Sequence, residues 1–326
     1  MAGSEFDIID RHFARRAGAP EWLKLGIGDD AAVIRPPSGR QLVSTLDTLI
    51  DGRHFPENTE AASIGWKALA VNASDLVAMA AEPAFFLLSL SLPEDDEAWL
   101  ERFADGLFRA ADAFGMTLVG GDTCRGPLSI SVQANGWVEE GAFVTRGGAR
   151  VGDRIWLSGR IGDAALALRL LWREIDPQDV DAATTADCFT ALNYPQPRLP
   201  LIPLLKAHAS AAIDISDGLA ADLGHLLDQS GAGALIDGQR LPLNDWLRSR
   251  AGDSDDALSL ALCGGDDYEI LFAAPAEATP AIRAAAQALP FALTEIGRIV
   301  ESGRWLDTGE RRVELDRYRG YDHFKG

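Results

Sequence analysis

Cysteine is scarce in this chain. Cys124, Cys188 and Cys263 stand far apart among 326 residues, and no CxxC pair occurs. That excludes a disulfide framework and a cysteine-based zinc site, and a reducing cytoplasm is the expected setting. The five histidines show neither HxxxH nor Cys/His zinc spacing. Positive charge is short as well: 30 Lys and Arg face 49 Asp and Glu, a formal net charge of −19. Such a surface repels a phosphate backbone, so neither nucleic-acid binding nor an anionic membrane partner is expected. Long apolar runs are missing too. The longest, Ala84 to Leu92, falls well below the roughly 20 residues that a membrane helix needs. Met1 to Asp10 lacks a basic stretch followed by an apolar one, which predicts no signal peptide. No GxxxxGK[ST] and no protein-kinase signature set occurs, and neither Ser158 nor Ser216 sits in a GxSxG setting. P-loop, protein-kinase and triad-hydrolase chemistry are thereby excluded.

What remains is an ordinary globular composition, 47% hydrophobic and 24% charged. A chain of this length buries roughly 75% of its unfolded surface, so a core needs no metal or disulfide to hold it, and two domains are expected. Periodicity predicts helices over Glu5–Ala17, Ala61–Ala81 (with a break near Asn72) and from Glu94 to the stop at Gly115. Strands are predicted over Ala31–Arg35, Gln41–Leu46, Phe85–Leu92, Thr117–Val119 and Leu128–Val138. The glycine-rich stretch from Thr145 to Gly152 divides the chain into residues 1–148 and 149–326. Beyond it, strand and helix alternate: Ile155–Ser158, Ala164–Leu171, Ala211–Ile215, Leu219–Leu227, Tyr268–Ala273, Ala276–Ala288 and Ala292–Ile299. The fold class is α/β or α+β in two halves.

The placement of aspartate carries the chemistry. Asp29-Asp30, Asp47, Asp122, Asp214 with Asp217, and Asp266-Asp267 all fall among Gly, Ser or Thr, and read as turns at strand ends; Asp75 lies on a helix. Each alone is an ordinary turn or cap. Gathered together they would repel unless cations sat between them, and oxygen donors of this kind suit Mg²⁺ bridging carboxylates to a substrate's phosphates. Gly26-Ile27-Gly28-Asp29-Asp30-Ala31 fits the dinucleotide-binding pattern, but adjacent carboxylates would face the pyrophosphate, and a strand rather than a helix comes next. His54, in an apparent loop beside Arg53, reads either as a surface histidine or as a donor to an anionic ligand.

Several strings taken together are similar to a known family. They are Gly26-Ile27-Gly28-Asp29-Asp30, Asp47-Thr48-Leu49, Gly52-Arg53-His54-Phe55, Lys67 through Asp75, Gly120-Gly121-Asp122-Thr123, Asp214 through Leu219, Gly264 through Glu269, and Gly320 through Phe324. In order and nearly end to end, they resemble the thiamine-monophosphate kinases of the aminoimidazole-ribonucleotide-synthetase-like superfamily. The resemblance implies two α/β domains and a homodimer whose N-terminal domains share a barrel, with ATP near the interface. It implies ATP-dependent, Mg²⁺-assisted phosphorylation of thiamine monophosphate to thiamine diphosphate. Carried over position by position, it implies Mg²⁺ ligands at Asp30, Thr45, Leu46 (through its backbone), Asp47, Asp75, Asp122, Asp214 and Asp217. ATP contacts fall at Gly121, Asp122, Arg146 and Ser216, and thiamine phosphate contacts at His54, Asp266 and Tyr318. Asp266 stands where relatives often carry Glu. No general base is implied, because a phosphate acceptor with a second pKa near 6 is already ionised at pH 7. The difficulty lies in bringing two anions together, which bound cations and positioning would solve.

Overall fold

The structure is a computed structural model that describes residues 8–14, 20–251, 255–318 and 320. The chain divides into two compact units. One comprises the residues up to Leu76 with Ala81–Ala142; the other comprises Val77–Ala80 with the residues from Phe143 onward.

In the first unit a short antiparallel pair, β1 (Leu23–Leu25) and β2 (Val33–Ile34), accompanies a four-stranded sheet. That sheet contains β3 (Arg40–Ile50), β4 (Glu82–Leu92), β5 (Thr117–Arg125) and β6 (Ser129–Glu139), in the order β3-β6-β4-β5. Only β4 and β5 pair in parallel. Two helices, α1 (Ala61–Ala78) and α2 (Glu97–Phe114), cross closely at two glycines. A Cβ at Gly106 would stand 1.8 Å from the Ala62 carbonyl oxygen, and one at Gly65 would stand 2.2 Å from that of Phe103. Ile130, Val132, Ala134, Phe86, Leu88 and Leu90 point to one face of the sheet and are buried. The alternate residues point to the opposite face, which is partly open. On it Leu42, Leu46 and Ile50 of β3 are exposed by 51%, 61% and 42%. Helix α2 starts where Asp96 accepts hydrogen bonds from the N–H groups of Ala98 and Trp99, and it ends at Gly115 in the left-handed region.

The second unit is built on a seven-stranded sheet in the order β13-β12-β9-β11-β7-β10-β8. Its strands are β7 (Arg154–Ser158), β8 (Ala211–Asp214), β9 (Gly233–Asp237), β10 (Ile270–Ala274), β11 (Leu293–Val300), β12 (Arg304–Asp307) and β13 (Arg312–Glu314). Its helices are α3 (Asp163–Leu171), α4 (Ala182–Asn193), α5 (Ile202–His208), α6 (Leu219–Ser230), α7 (Asp245–Arg250), α8 (Asp255–Cys263) and α9 (Thr279–Ala286). Ile155, Leu157, Ile213, Ile236, Leu271 and Ile296 join helical residues such as Leu166, Leu223 and Leu262 in the larger core. On the other face Trp156 and Phe272 pack with Leu201, Leu205 and Ile282. Apart from β9–β12, every pair in this sheet is antiparallel. The fold is therefore mixed α and β with mainly antiparallel pairing, not a doubly wound parallel sheet.

Several sequence expectations are corrected. Strand β3 runs to Ile50, so Thr45–Asp47 lies mid-strand and not at a strand end. Gly120–Asp122 is likewise inside β5, with a register irregularity just before it; paired glycines read as a turn, but here they let the backbone approach β4. Helix α1 is unbroken at Asn72, whose amide donates to the Ala68 carbonyl at 3.0 Å. The first predicted helix is described only as a single π-helical turn at Ile9–Phe13, and the rest of it lies outside the described residues, as does Tyr321–Phe324. Helices α4, α5, α7 and α8 and strands β9, β12 and β13 were not predicted, because short elements with few periodic residues leave little signal.

Candidate functional site

In the first unit the sheet and helix α1 bring three of the expected metal positions together. Thr45 and Asp47 alternate onto the face of β3 that meets α1. Thr45 Oγ1 donates to Asp75 Oδ2 at 2.5 Å. One turn earlier on the helix, Asn72 Oδ1 accepts the Asp47 N–H at 3.0 Å. Asn72 and Asp75 share a helix face because residues three apart are neighbours, so α1 is tied to β3 twice. Leu46, between them, turns its side chain to the open face, which leaves only its backbone to serve a ligand on the α1 side.

Asp122 is placed differently. In register it lies in one row with Ser89, Ser131 and Thr48, on the open face. Thr48 and Ser131 share a hydroxyl hydrogen bond of 2.7 Å in that row. Three strand spacings, about 14 Å, separate Asp122 from β3, so the sheet does not bring Asp122 beside Asp47 and Asp75. Gly121 next to it has no room for a side chain: a Cβ would lie 1.9 Å from the Leu88 carbonyl oxygen. Asp30 is exposed, and its N–H donates to Asp29 Oδ1 at 2.9 Å. The Gly26–Ala31 string leads into strand β2 and not into a helix, which removes the dinucleotide-binding context. His54 ends a tight turn with Gly52 at φ +69°. Its Nδ1 accepts the Ile50 N–H at 3.1 Å, so Nε2 is the nitrogen that carries a proton to donate.

In the second unit two loops are laced together. Strand β8 ends on Asp214, which is buried, and the turn after it carries Ser216 and Asp217. The loop after α8 carries Gly264 to Glu269. Asp266 N–H donates to the Ser216 carbonyl and Tyr268 N–H to that of Ile215, both at 2.8 Å. A Cβ at Gly265, where φ is +68°, would stand 2.5 Å from the Ser216 oxygen; only glycine allows this approach. Asp266 and Tyr268 also hold positive φ, at 62° and 48°, a conformation that is costly outside glycine and tends to persist at functional sites. The Tyr268 hydroxyl donates to Asp266 Oδ1 at 3.1 Å and so aims that carboxylate. Tyr318 is buried beyond the short turn Leu315–Arg317. Gly320 lies where a Cβ would be 2.6 Å from the Asp217 carbonyl oxygen, so the chain returns to this turn.

Two further aspartates are central to this region: Asp222, which the sequence reading does not single out, and Asp267, which it places in a turn beside Asp266 without a role of its own. Asp222, in the first turn of α6, accepts the N–H groups of both Ser216 and Asp217 at 3.0 Å. Burial, reinforced by the charge of Asp217, pushes its carboxyl up to about 7; the two N–H bonds and Arg146 pull the other way. An acid in a helix's first turn after a Ser-Asp-Gly string was the available signal. Asp267 is the second. It is half-buried, accepts the Gly162 N–H at 2.9 Å on Oδ1, and leaves Oδ2 buried without a partner. Burial raises it well above the usual carboxylate range, with Glu269, Asp163 and Asp266 adding to the effect. The proton is therefore held more tightly there than on an ordinary carboxyl.

Among the described residues no three His, Cys, Asp or Glu side chains are grouped to hold a metal ion. The donor set is nonetheless all oxygen, from carboxylates and a hydroxyl. That suits a hard cation which keeps several waters and takes further ligands from substrate phosphates.

Known proteins share this architecture. Residues 28–138 match the family described as AIR synthase related protein, N-terminal domain, and residues 150–305 match its C-terminal domain. A thiamine-monophosphate kinase of Escherichia coli K12 is 42% identical over 99% of both chains. Among solved structures, a thiamine-monophosphate kinase from Stenotrophomonas maltophilia K279a is 47% identical with a TM-score of 0.84, over 94% of this chain and 98% of that one. AaThiL complexed with AMPPCP and TMP is 33% identical with a TM-score of 0.75, over 89% of each chain.

Proposed function

The chain belongs to the thiamine-monophosphate kinase family, and we propose that it transfers the γ-phosphoryl group of ATP to thiamine monophosphate, giving ADP and thiamine diphosphate. The observation that carries this reading is the 42% identity to a thiamine-monophosphate kinase over essentially the whole chain. The complex of AaThiL with AMPPCP, an ATP analogue, and TMP supports both substrates.

The reaction suits this chain's residues. The acceptor phosphate is largely dianionic at pH 7 and attacks without a base. Positioning and charge are what the protein must supply. Asp30, Thr45, the Leu46 backbone, Asp47, Asp75, Asp122, Asp214 and Asp217 are the residues that would hold Mg²⁺. The chemistry that bound Mg²⁺ supplies is neutralisation of phosphate charge and alignment for in-line transfer. Arg146 and Ser216, with Gly121 and Asp122, are assigned to ATP. His54 Nε2–H donates to the thiamine phosphate, and Asp266, held by Tyr268, faces the fixed positive charge of the thiamine moiety. Tyr318 completes that end.

The same reading includes a homodimer. Its support is the partly open sheet face, where Leu42, Leu46 and Ile50 offer one exposed aliphatic row; covering such a row is a common use of exposed apolar surface. Residues 1–148 serve ATP, Mg²⁺ and dimerisation in this account, and residues 149–326 form the second domain. Three free cysteines fit a cytoplasmic enzyme. Among the described residues no helix is long and apolar enough to cross a membrane.

The test is product stoichiometry. Incubation with ATP, Mg²⁺ and thiamine monophosphate, resolved by chromatography, should yield ADP and thiamine diphosphate one to one. ADP accompanied by free phosphate instead would replace the transferase with an ATPase.

A further inference from the structure

On the face of the seven-stranded sheet that carries Trp156, helices α5 and α9 supply the cover over β8, β10 and β7. Towards β11, β9 and β12 the same face holds a groove of about 410 Å³. None of its lining residues is among the positions assigned above to ATP, metal or thiamine phosphate.

Its charges are arranged in rows. Arg154 on β7 stands directly opposite Arg298 on β11, and both line the groove. Like charges directly opposite on neighbouring strands are unfavourable. Arg154 is partly answered by Glu295 at 3.8 Å, but Glu295 also takes Arg283 at 2.8 Å. Arg298 has no ion pair or side-chain hydrogen bond among the described residues. Leu235 of β9 lies next to Arg298 in the same row. Two residues further along β9, a second like-charge pair occurs: Asp237 stands opposite Asp307 of β12. Each spends one oxygen on its own turn, Asp237 on the Gln239 N–H at 3.1 Å and Asp307 on the Gly309 N–H at 2.9 Å. Two residues of strand rise separate the rows by about 7 Å.

We propose that this groove is a second binding site, for a small dipolar molecule with an anionic phosphate on Arg298 and Arg154 and a cationic group towards Asp237 and Asp307. A bound phosphate removes the repulsion between the two guanidinium groups and gives Arg298 the partner it lacks. Planar guanidinium donors are the natural match for phosphate oxygens. A cation relieves the aspartate pair in the same way. Thiamine diphosphate has this chemistry, with a fixed positive charge at one end and a diphosphate at the other. That choice of ligand rests on the function proposed above, whereas the anion subsite does not.

Hydrogen exchange on the full-length protein tests the site, read on the segments covering β9, β11 and β12. Three probes are compared: thiamine diphosphate, inorganic pyrophosphate and free thiamine. Thiamine diphosphate should protect these strands most, pyrophosphate less, and thiamine not at all. In Arg298→Gln the concentration needed for protection should rise about tenfold or more for both phosphates, as for loss of one charge-assisted contact, with turnover at saturating substrate unchanged. Asp237→Asn should weaken thiamine diphosphate and leave pyrophosphate as it was. No protection on these strands, or equal midpoints in wild type and Arg298→Gln, would overturn the proposal. Should the protein fail to phosphorylate thiamine monophosphate while pyrophosphate protection still depends on Arg298, the anion subsite stands and the kinase reading falls.

Discussion

Asp267 offers a sharp test of how the substrate loop is held. Its carboxyl accepts one N–H from Gly162 and leaves the other oxygen buried and unpaired. Burial raises it well above the usual carboxylate range, so the folded protein keeps a proton there that the unfolded chain gives up near pH 4. Between the unfolded value and the raised folded value, the native state binds one more proton than the unfolded state. Stability from this group is therefore complete at low pH and is lost as pH rises, by about 1.4 kcal/mol per pH unit. Asp267→Asn removes the ionisation and keeps the neutral shape and the acceptor for Gly162. The stability of Asp267→Asn relative to wild type should therefore climb as pH rises above about 4, by at most about 1.4 kcal/mol per pH unit, and level off once the folded carboxyl ionises. Asp267→Ala leaves the Gly162 N–H buried without its acceptor and should cost about 1–3 kcal/mol at pH 6. Urea unfolding of the three proteins at several pH values from 4 to 8 reads both effects. Parallel stability–pH curves for wild type and Asp267→Asn would refute the reasoning, because they would mean the carboxyl is not a buried, protonated acid.

Three further outcomes are expected. Asp47→Asn and Asp75→Asn should each reduce turnover by a factor of a hundred or more, in order-of-magnitude terms for lost electrostatic stabilisation, with melting temperatures close to wild type; near-normal rates at limiting Mg²⁺ would remove both from the metal set. Asp266→Ala should raise the KM for thiamine monophosphate well above any change for ATP, while Asp266→Glu keeps activity but melts lower, since φ of +62° tolerates Asp better than Glu; an unselective change in both KM values would reduce Asp266 to a turn residue. Gly106→Ala should cost several kcal/mol, measured by thermal unfolding, because its Cβ would lie 1.8 Å from a helix carbonyl that cannot move aside.

Much of the second helix, α2, was legible because its signals agreed. The acidic first turn, the spacing of Leu100, Phe103, Leu107 and Phe114, and the terminal Gly115 all pointed one way. The aspartates were recognisable through their small neighbours, but their settings were misread. Thr45–Asp47 and Gly120–Asp122 lie inside long strands, where glycine serves close approach of two backbones and not a turn. Nothing in the sequence shows that Asp122 shares a row with Thr48 on one face while Asp47 faces α1 on the other, since register is set by pairing partners far away in the chain. Asp222 is passed over in the sequence, and Asp267 is read there only as a turn residue, for a related reason. Their roles come from burial and from N–H groups brought to them by tertiary folding, and an aspartate beside a more conspicuous one gives no local sign of that.

The central claim is that the acceptor is a phosphate and not a hydroxyl. It is tested most directly by measuring ADP release with ATP and Mg²⁺ in parallel reactions containing either thiamine monophosphate or free thiamine. Release should be rapid with thiamine monophosphate, slight with thiamine, and absent with either when Mg²⁺ is chelated. Equal or faster release with free thiamine would contradict it.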